Sequence, residues 1–151
     1  MFAVLHCYRP LKEVLAALSR AGVEYVSPVL VKRTYVRHIR KWKESHVPMF
    51  PGYVFVEEGS LDIWWEMNDR PGKLLASNGE VVMIEDQVVK RYLLGGVLNE
   101  WREGTRVVVV SGDYLLREGE IAEVVGGFAT IYFDDGAWAI VAVDTIAPIS
   151  V

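Results

Sequence analysis

The chain has one cysteine, Cys7, so no internal disulfide can form. A lone thiol suits a reducing compartment, and the cytoplasm is the expected location. No apolar run approaches the roughly 20 residues that a membrane-spanning helix needs, so no membrane role is expected. The apolar start Met1–Leu5 soon meets His6 and Arg9. It lacks a basic lead and a small-residue cleavage site, and does not read as a secretory signal. There is no Cys-x-x-Cys or His-x-x-x-His spacing for zinc. Gly126-Gly127 lacks the Lys and the following helix of a phosphate-cradling loop. His6 and Cys7 are strand neighbours that point to opposite faces, which excludes a nucleophile–base pair between them. Carboxylate pairs such as Glu57-Glu58 and Asp134-Asp135 read as strand-end turns. No enzyme activity, metal or cofactor is expected. Basic residues are scarce in the second half. Residues 99–151 hold three Lys or Arg against nine Asp or Glu, whereas residues 1–98 are slightly basic. Phosphate backbones are bound by Lys and Arg, so the second half is expected to meet a protein.

What is present is a chain of 151 residues, 52% hydrophobic and 24% charged, enough for one medium domain or two small ones. Residues 2–8 read as a strand. Leu11, Val14, Leu15 and Leu18 recur at helical spacing, with Pro10 at the first turn and Gly22 as the stop. Residues 23–34 are strand-prone, and Pro28 hints at an edge or bulge. Ser60 is placed to cap a short helix over 61–68. In that helix Ile63, Trp64 and Met67 form a stripe, one tryptophan is expected in the core, and Trp65 projects elsewhere. Strand pieces flank the Asn78-Gly79 turn, and residues 85–94 read as a helix closed by Gly95-Gly96. After Trp101 the pattern becomes short strands at 105–110, 120–125, 128–133, 137–143 and near 146–149, parted by glycine turns. That pattern suits a small β-barrel.

Three stretches stand out. The first is Pro48-Met49-Phe50-Pro51-Gly52-Tyr53-Val54-Phe55-Val56. Prolines and a glycine lead into a strand over 53–57 in which Tyr53 and Phe55 share one face, Val54 and Val56 the other. One face builds the core, and the other is open to a partner. The second is basic: Lys32, Arg33, Arg37, Arg40, Lys41 and Lys43 fall within twelve residues that hold no acid. Trp42 lies among them, and Lys41-Trp42-Lys43 is expected in a long hairpin loop. Such a loop either grips a phosphate backbone, with Trp42 stacked on an unpaired base, or is simply solvated. The third is Gly112-Asp113-Tyr114-Leu115-Leu116-Arg117-Glu118-Gly119.

The first stretch resembles the NusG family of transcription elongation factors, whose N-terminal domains carry a similar Pro-x-Phe-Pro-Gly-Tyr-x-x-Val segment. The third resembles the KOW signature, a Gly-x-aromatic loop before a glycine. The resemblance runs in order along the chain, through the opening strand and helix to the C-terminal module. It implies an α+β chain: an N-terminal α/β sandwich with an antiparallel sheet over 1–95, a linker at 96–102 and a five-stranded SH3-like barrel over 103–151. It also implies a monomer that docks on the clamp helices of the largest RNA polymerase subunit and promotes processive elongation or antitermination. By motif position Tyr53 and Phe55 carry that contact, with Tyr8, Phe50 and Pro51 around them. Near a polymerase the basic segment would meet upstream or non-template DNA. Tyr114 matches the loop aromatic that family members present to a ribosomal protein or to termination factor Rho, and Leu115 and Leu116 beside it would enlarge an exposed apolar loop. Alternatively, Tyr114 folds back over the barrel end. Asp62, Ile63 and the two tryptophans depart from the polar residues of specialised relatives, which weakens the case for a second polymerase contact there. Some relatives hold the C-terminal domain as a helical hairpin, whereas residues 107–110 and 128–133 favour strands here. The other reading is a KOW-type accessory factor of the ribosome that does not act on polymerase.

Overall fold

A computed structural model describes residues 1–93, 97, 98 and 101–149. The chain opens with β1 (Phe2–Cys7), α1 (Leu11–Ala21), β2 (Tyr25–Val26), β3 (Val29–Val36), β4 (Lys41–Pro48) and β5 (Tyr53–Glu57). There follow α2 (Leu61–Glu66), β6 (Gly72–Leu74), β7 (Ala76–Ser77), β8 (Glu80–Val81), β9 (Met83–Ile84) and α3 (Asp86–Leu93). Then come β10 (Val97–Leu98), β11 (Arg106–Val109), β12 (Glu118–Val125), β13 (Phe128–Phe133), β14 (Trp138–Ala142) and β15 (Ile146–Pro148). Two compact units form, Met1–Pro28 with Phe50–Lys90, and Val29–Met49 with Arg91–Val151. Gly95-Gly96, the expected helix stop, lies outside the described residues.

In the first unit, β1 and β5 sit at the middle of an antiparallel sheet ordered β2-β5-β1-β6, and β9 also pairs with β1. Ala3, Leu5, Val54 and Val56 point to one face and bury against Val14 and Leu18 of α1 and Trp64 of α2. The helical spacing of α1 thus supplies the cover for the sheet. Gly22 ends α1 with φ 81°, and the N–H of Val23 returns to the carbonyl of Leu18 at 3.0 Å. This left-handed stop satisfies carbonyls that the helix leaves open. Ser60 does not cap α2 as expected. Its buried Oγ instead accepts the N–H of Glu24 at 2.9 Å, a stronger claim on the hydroxyl than a solvated helix end. The other end of α2 is closed by Arg70, whose Nε donates to the carbonyl of Trp64 at 3.1 Å and whose guanidinium lies over the Trp65 ring. Trp64 is in the core and Trp65 is exposed.

The second unit contains two sheets. β3 and β4 form a long antiparallel hairpin, and β10 pairs with β3 in parallel. The other sheet is antiparallel, in the order β14-β13-β12-β11-β15. Its inner face, with Val107, Val109, Ile121, Ala129, Ile131, Phe133 and Ile146, is a separate core. β11 and β13 are strands, as their β-branched and aromatic content leads one to expect. Arg91 donates two hydrogen bonds to Glu118, at 2.8 and 3.0 Å, and the Tyr92 hydroxyl donates a third at 3.2 Å. Burial, then the Glu118 charge, pushes the Tyr92 phenol well above its ordinary range.

Arg106 makes two hydrogen bonds to Asp134, at 2.6 and 2.8 Å, which hold that carboxyl below its usual range. A depressed carboxyl contributes stability above its unfolded value and loses it as pH falls through the folded value. The pair is exposed, so its share is small. Thermal melts from pH 7 into the acid carboxylate range are expected to fall less steeply for Asp134→Asn than for the wild type.

Candidate interaction surfaces

The first surface grows from the register of β1 on β5, which sets His6 opposite Tyr53 and Val4 opposite Phe55. Pro51 and Gly52 make the turn before β5. The N–H of Tyr53 bonds the carbonyl of Phe50 at 3.1 Å, and Gly52 takes φ 87°. That is the left-handed position a Pro-Gly turn requires. The N–H of Cys7 bonds the carbonyl of Gly52 at 2.8 Å, which ties the turn to β1. The His6 and Tyr53 rings then stack, centroids 5.0 Å apart, and Tyr8 meets His6 edge-on at 5.9 Å. Tyr8 is 64% exposed, His6 is exposed and Tyr53 is half-buried.

Phe55 and Phe50 correct the expectation. Phe55 is fully buried, and Phe50 rests edge-to-face on it at 5.2 Å, also buried. Neither ring is offered to solvent. The face shared by Tyr53 and Phe55 is closed at the Val4–Phe55 level and open at the His6–Tyr53 level. Pro51 is exposed beside the turn. The sequence reading missed His6 as a ring in this group. Its signal was strand parity with Tyr8. Cys7, on the opposite face, packs half-buried against the core, and burial pushes its thiol up to about 11.

The second surface is the β3–β4 hairpin. Its turn is residues 37–40, so Arg37 and Arg40 sit in the loop while Lys41, Trp42 and Lys43 lie in β4, not in a loop as expected. Eight paired positions extend the ladder out to Val36 and Lys41. Arg40 takes φ 50°, an unusual position for a residue with a side chain. Alternation then sorts the side chains. Tyr35 pairs across to Trp42, with ring centroids 5.4 Å apart, and Arg33 binds Glu44 at 3.0 Å on the same face. Lys32, Lys41 and Lys43 fall on the other face, beside Thr34 and Ser45. Trp42 therefore does not share a face with the lysines that flank it, and Arg33 is partly neutralised.

The third surface is the loop before β12. Tyr114 keeps 37% of its surface exposed, but one side stacks on Phe133 at 5.5 Å. The Arg117 guanidinium lies 4.1 Å over Phe133 and pairs with Asp135. Leu115 and Leu116 are half-buried rather than freely exposed, and Leu116 sits at φ 71° with its N–H bonded to the carbonyl of Val109 at 2.7 Å. Gly119 lies within β12, opposite Phe133, with no room for a side chain. A Cβ there would lie 2.2 Å from the carbonyl oxygen of Tyr132.

Among the described residues no His, Cys, Asp or Glu side chains gather in a way that suits a metal ion. Among them, no helix is long and apolar enough to cross a membrane.

A family model described as transcription termination factor nusG matches residues 2–93. A search of curated proteins gave no match. Among solved structures, one on domain interaction in Thermotoga maritima NusG is 15% identical, with a TM-score of 0.37, covering 99% of this chain and 97% of that one. A chain of the MjSpt4:Spt5 complex in conformation B is 12% identical, with a TM-score of 0.34, covering 100% and 98%.

Proposed function

Since the chain belongs to the NusG family of transcription factors, we propose that it is an elongation factor that docks on the clamp helices of the largest RNA polymerase subunit. The observation that carries the contact is the Tyr8–His6–Tyr53 ring cluster, three adjoining rings on one sheet face with Tyr8 largely exposed. Aromatic rings give large contact area with few rotors to freeze, which suits an interface anchor. Pro51 borders the cluster, while Phe50 and Phe55 act from beneath by fixing β5. Bound to the closed clamp better than to the open one, the factor shifts that balance and favours processive elongation with no catalysis of its own.

Residues 1–95 make the polymerase-binding domain, 96–102 a linker, and 103–151 a KOW domain of SH3-like barrel form. Tyr114, with Leu115 and Leu116 beside it in the loop, recruits a second protein, a ribosomal protein or Rho. The factor acts as a monomer in the cytoplasm.

The test is an elongation assay with purified polymerase on a terminator template, with and without Rho. The added chain is expected to bind polymerase and raise full-length transcript, and an excess of isolated clamp-helix fragment is expected to abolish the effect. Failure to bind polymerase would overturn the proposal.

The hairpin adds a contact to upstream or non-template DNA. Lys32, Lys41 and Lys43 face a phosphate backbone together, with Arg37 and Arg40 at the tip. Reversing Arg40 and Lys41 to glutamate is expected to reduce the slope of log affinity against log salt by about 2, one for each phosphate no longer neutralised. Titration of labelled DNA at several salt concentrations measures it. An unchanged slope removes the DNA contact.

A further inference from the structure

A sheet with one face on the core ordinarily shows water a polar outer face. The sheet of β12, β13 and β14 does not. Alternate residues Ala129, Ile131, Phe133 and Ala139 fill the inner core. Apart from Thr130, the residues beside and between them are also apolar: Phe128, Tyr132, Trp138 and Ile140, with Val125 at the end of β12, are each 55–65% exposed. Register makes them one surface. Val125 pairs with Phe128, Tyr132 with Trp138, and Thr130 with Ile140. A contiguous apolar patch on a sheet marks a surface that something covers.

Charge tells what kind of partner covers it. On the same face Glu120 pairs across to Tyr132 and Glu123 to Thr130, and both acids are exposed. From residue 118 to the last residue the chain has no Lys, Arg or His at all. The rim is thus acidic on balance: Arg106 of β11 lies opposite Glu120, but its guanidinium is held by Asp134. A nucleic acid is repelled by it, and a copy of the same face is too.

We infer that the outer face of β12–β14 is a docking surface for a basic protein segment with apolar anchors. The apolar side chains enter between Phe128, Tyr132, Trp138 and Ile140, and Lys or Arg of the segment meet Glu120 and Glu123. The residues are not those of the Tyr114 loop, and the inference does not depend on polymerase binding.

The experiment is isothermal titration of the full chain with three synthetic peptides of equal length: alternating leucine and lysine, alternating leucine and glutamate, and alternating serine and lysine. Only the leucine–lysine peptide is expected to bind, more weakly as salt rises. Trp138→Ser with Ile140→Ser is expected to weaken it by about tenfold or more. Glu120→Lys with Glu123→Lys, which keeps every apolar side chain, is expected to move the preference to the leucine–glutamate peptide. Thermal melts check folding, and the charge-reversed chain carries the test if the serine variant does not fold. No binding of the leucine–lysine peptide, equal binding of both leucine peptides, or no response to either variant overturns the inference. So does a dimer in sedimentation that Ile140→Ser dissolves, since the face would then belong to a second copy.

Discussion

Alanine at position 119 is expected to lower the stability of the chain by about 3 kcal/mol, and its melting temperature by on the order of 10 °C. The cause is local and rigid. Gly119 faces Phe133 across the β12–β13 ladder. A Cβ would lie 2.2 Å from the Tyr132 carbonyl oxygen and 2.9 Å from the Phe133 Cα. Both are backbone atoms of the strand that carries Ile131 and Phe133 into the core, so neither can move without opening that core. Gly127, in the turn between β12 and β13, is the control. Nothing lies within 4 Å of its Cβ position, and its φ is not in the left-handed range. Gly127→Ala is expected to change stability by less than about 1 kcal/mol, toward greater stability, because it narrows the unfolded ensemble. Calorimetry on the two variants decides the point, and equal melting temperatures would remove the steric argument.

Tyr8→Ala combined with Tyr53→Ala is expected to weaken binding to purified polymerase about a hundredfold, or about 2.7 kcal/mol. Tyr8 is largely exposed and Tyr53 half-buried, so the double variant should melt close to the wild type. Phe55→Ala behaves differently. It empties a fully buried site against Phe50 and should cost about 3–5 kcal/mol of stability. Binding and melting measured together separate a contact ring from a supporting one. A folded double variant that binds like the wild type removes the ring cluster from the interface.

Much of this was legible in the chain. The periodicity of Leu11, Val14, Leu15 and Leu18 with Gly22 fixed α1, because helix spacing and a left-handed stop are local properties. The Asn78-Gly79 turn, with φ 53° and 81°, was legible for the same reason. Parity correctly put Tyr53 and Phe55 on one face, but it could not tell that the face closes partway along β5. Closure there depends on Phe50, brought onto Phe55 by the Pro51-Gly52 turn. The hairpin was harder still. Residues 41–48 are polar and charged on both faces, so no apolar alternation marks β4, and its pairing with β3 is what makes it a strand. The outer face of β12–β14 was legible in principle. Phe128, Tyr132, Trp138 and Ile140 read as ordinary core until the register shows that the inward positions are already filled.

The single thiol has a practical consequence for anyone who wants to follow this protein by fluorescence. Maleimide and iodoacetamide attack the thiolate, and Cys7 stays protonated until far above neutral pH. At pH 7 the native chain should take up dye slowly. A cysteine introduced at exposed Ser45 on the hairpin should react first, so a donor dye can be placed on that arm without removing the natural sulfur.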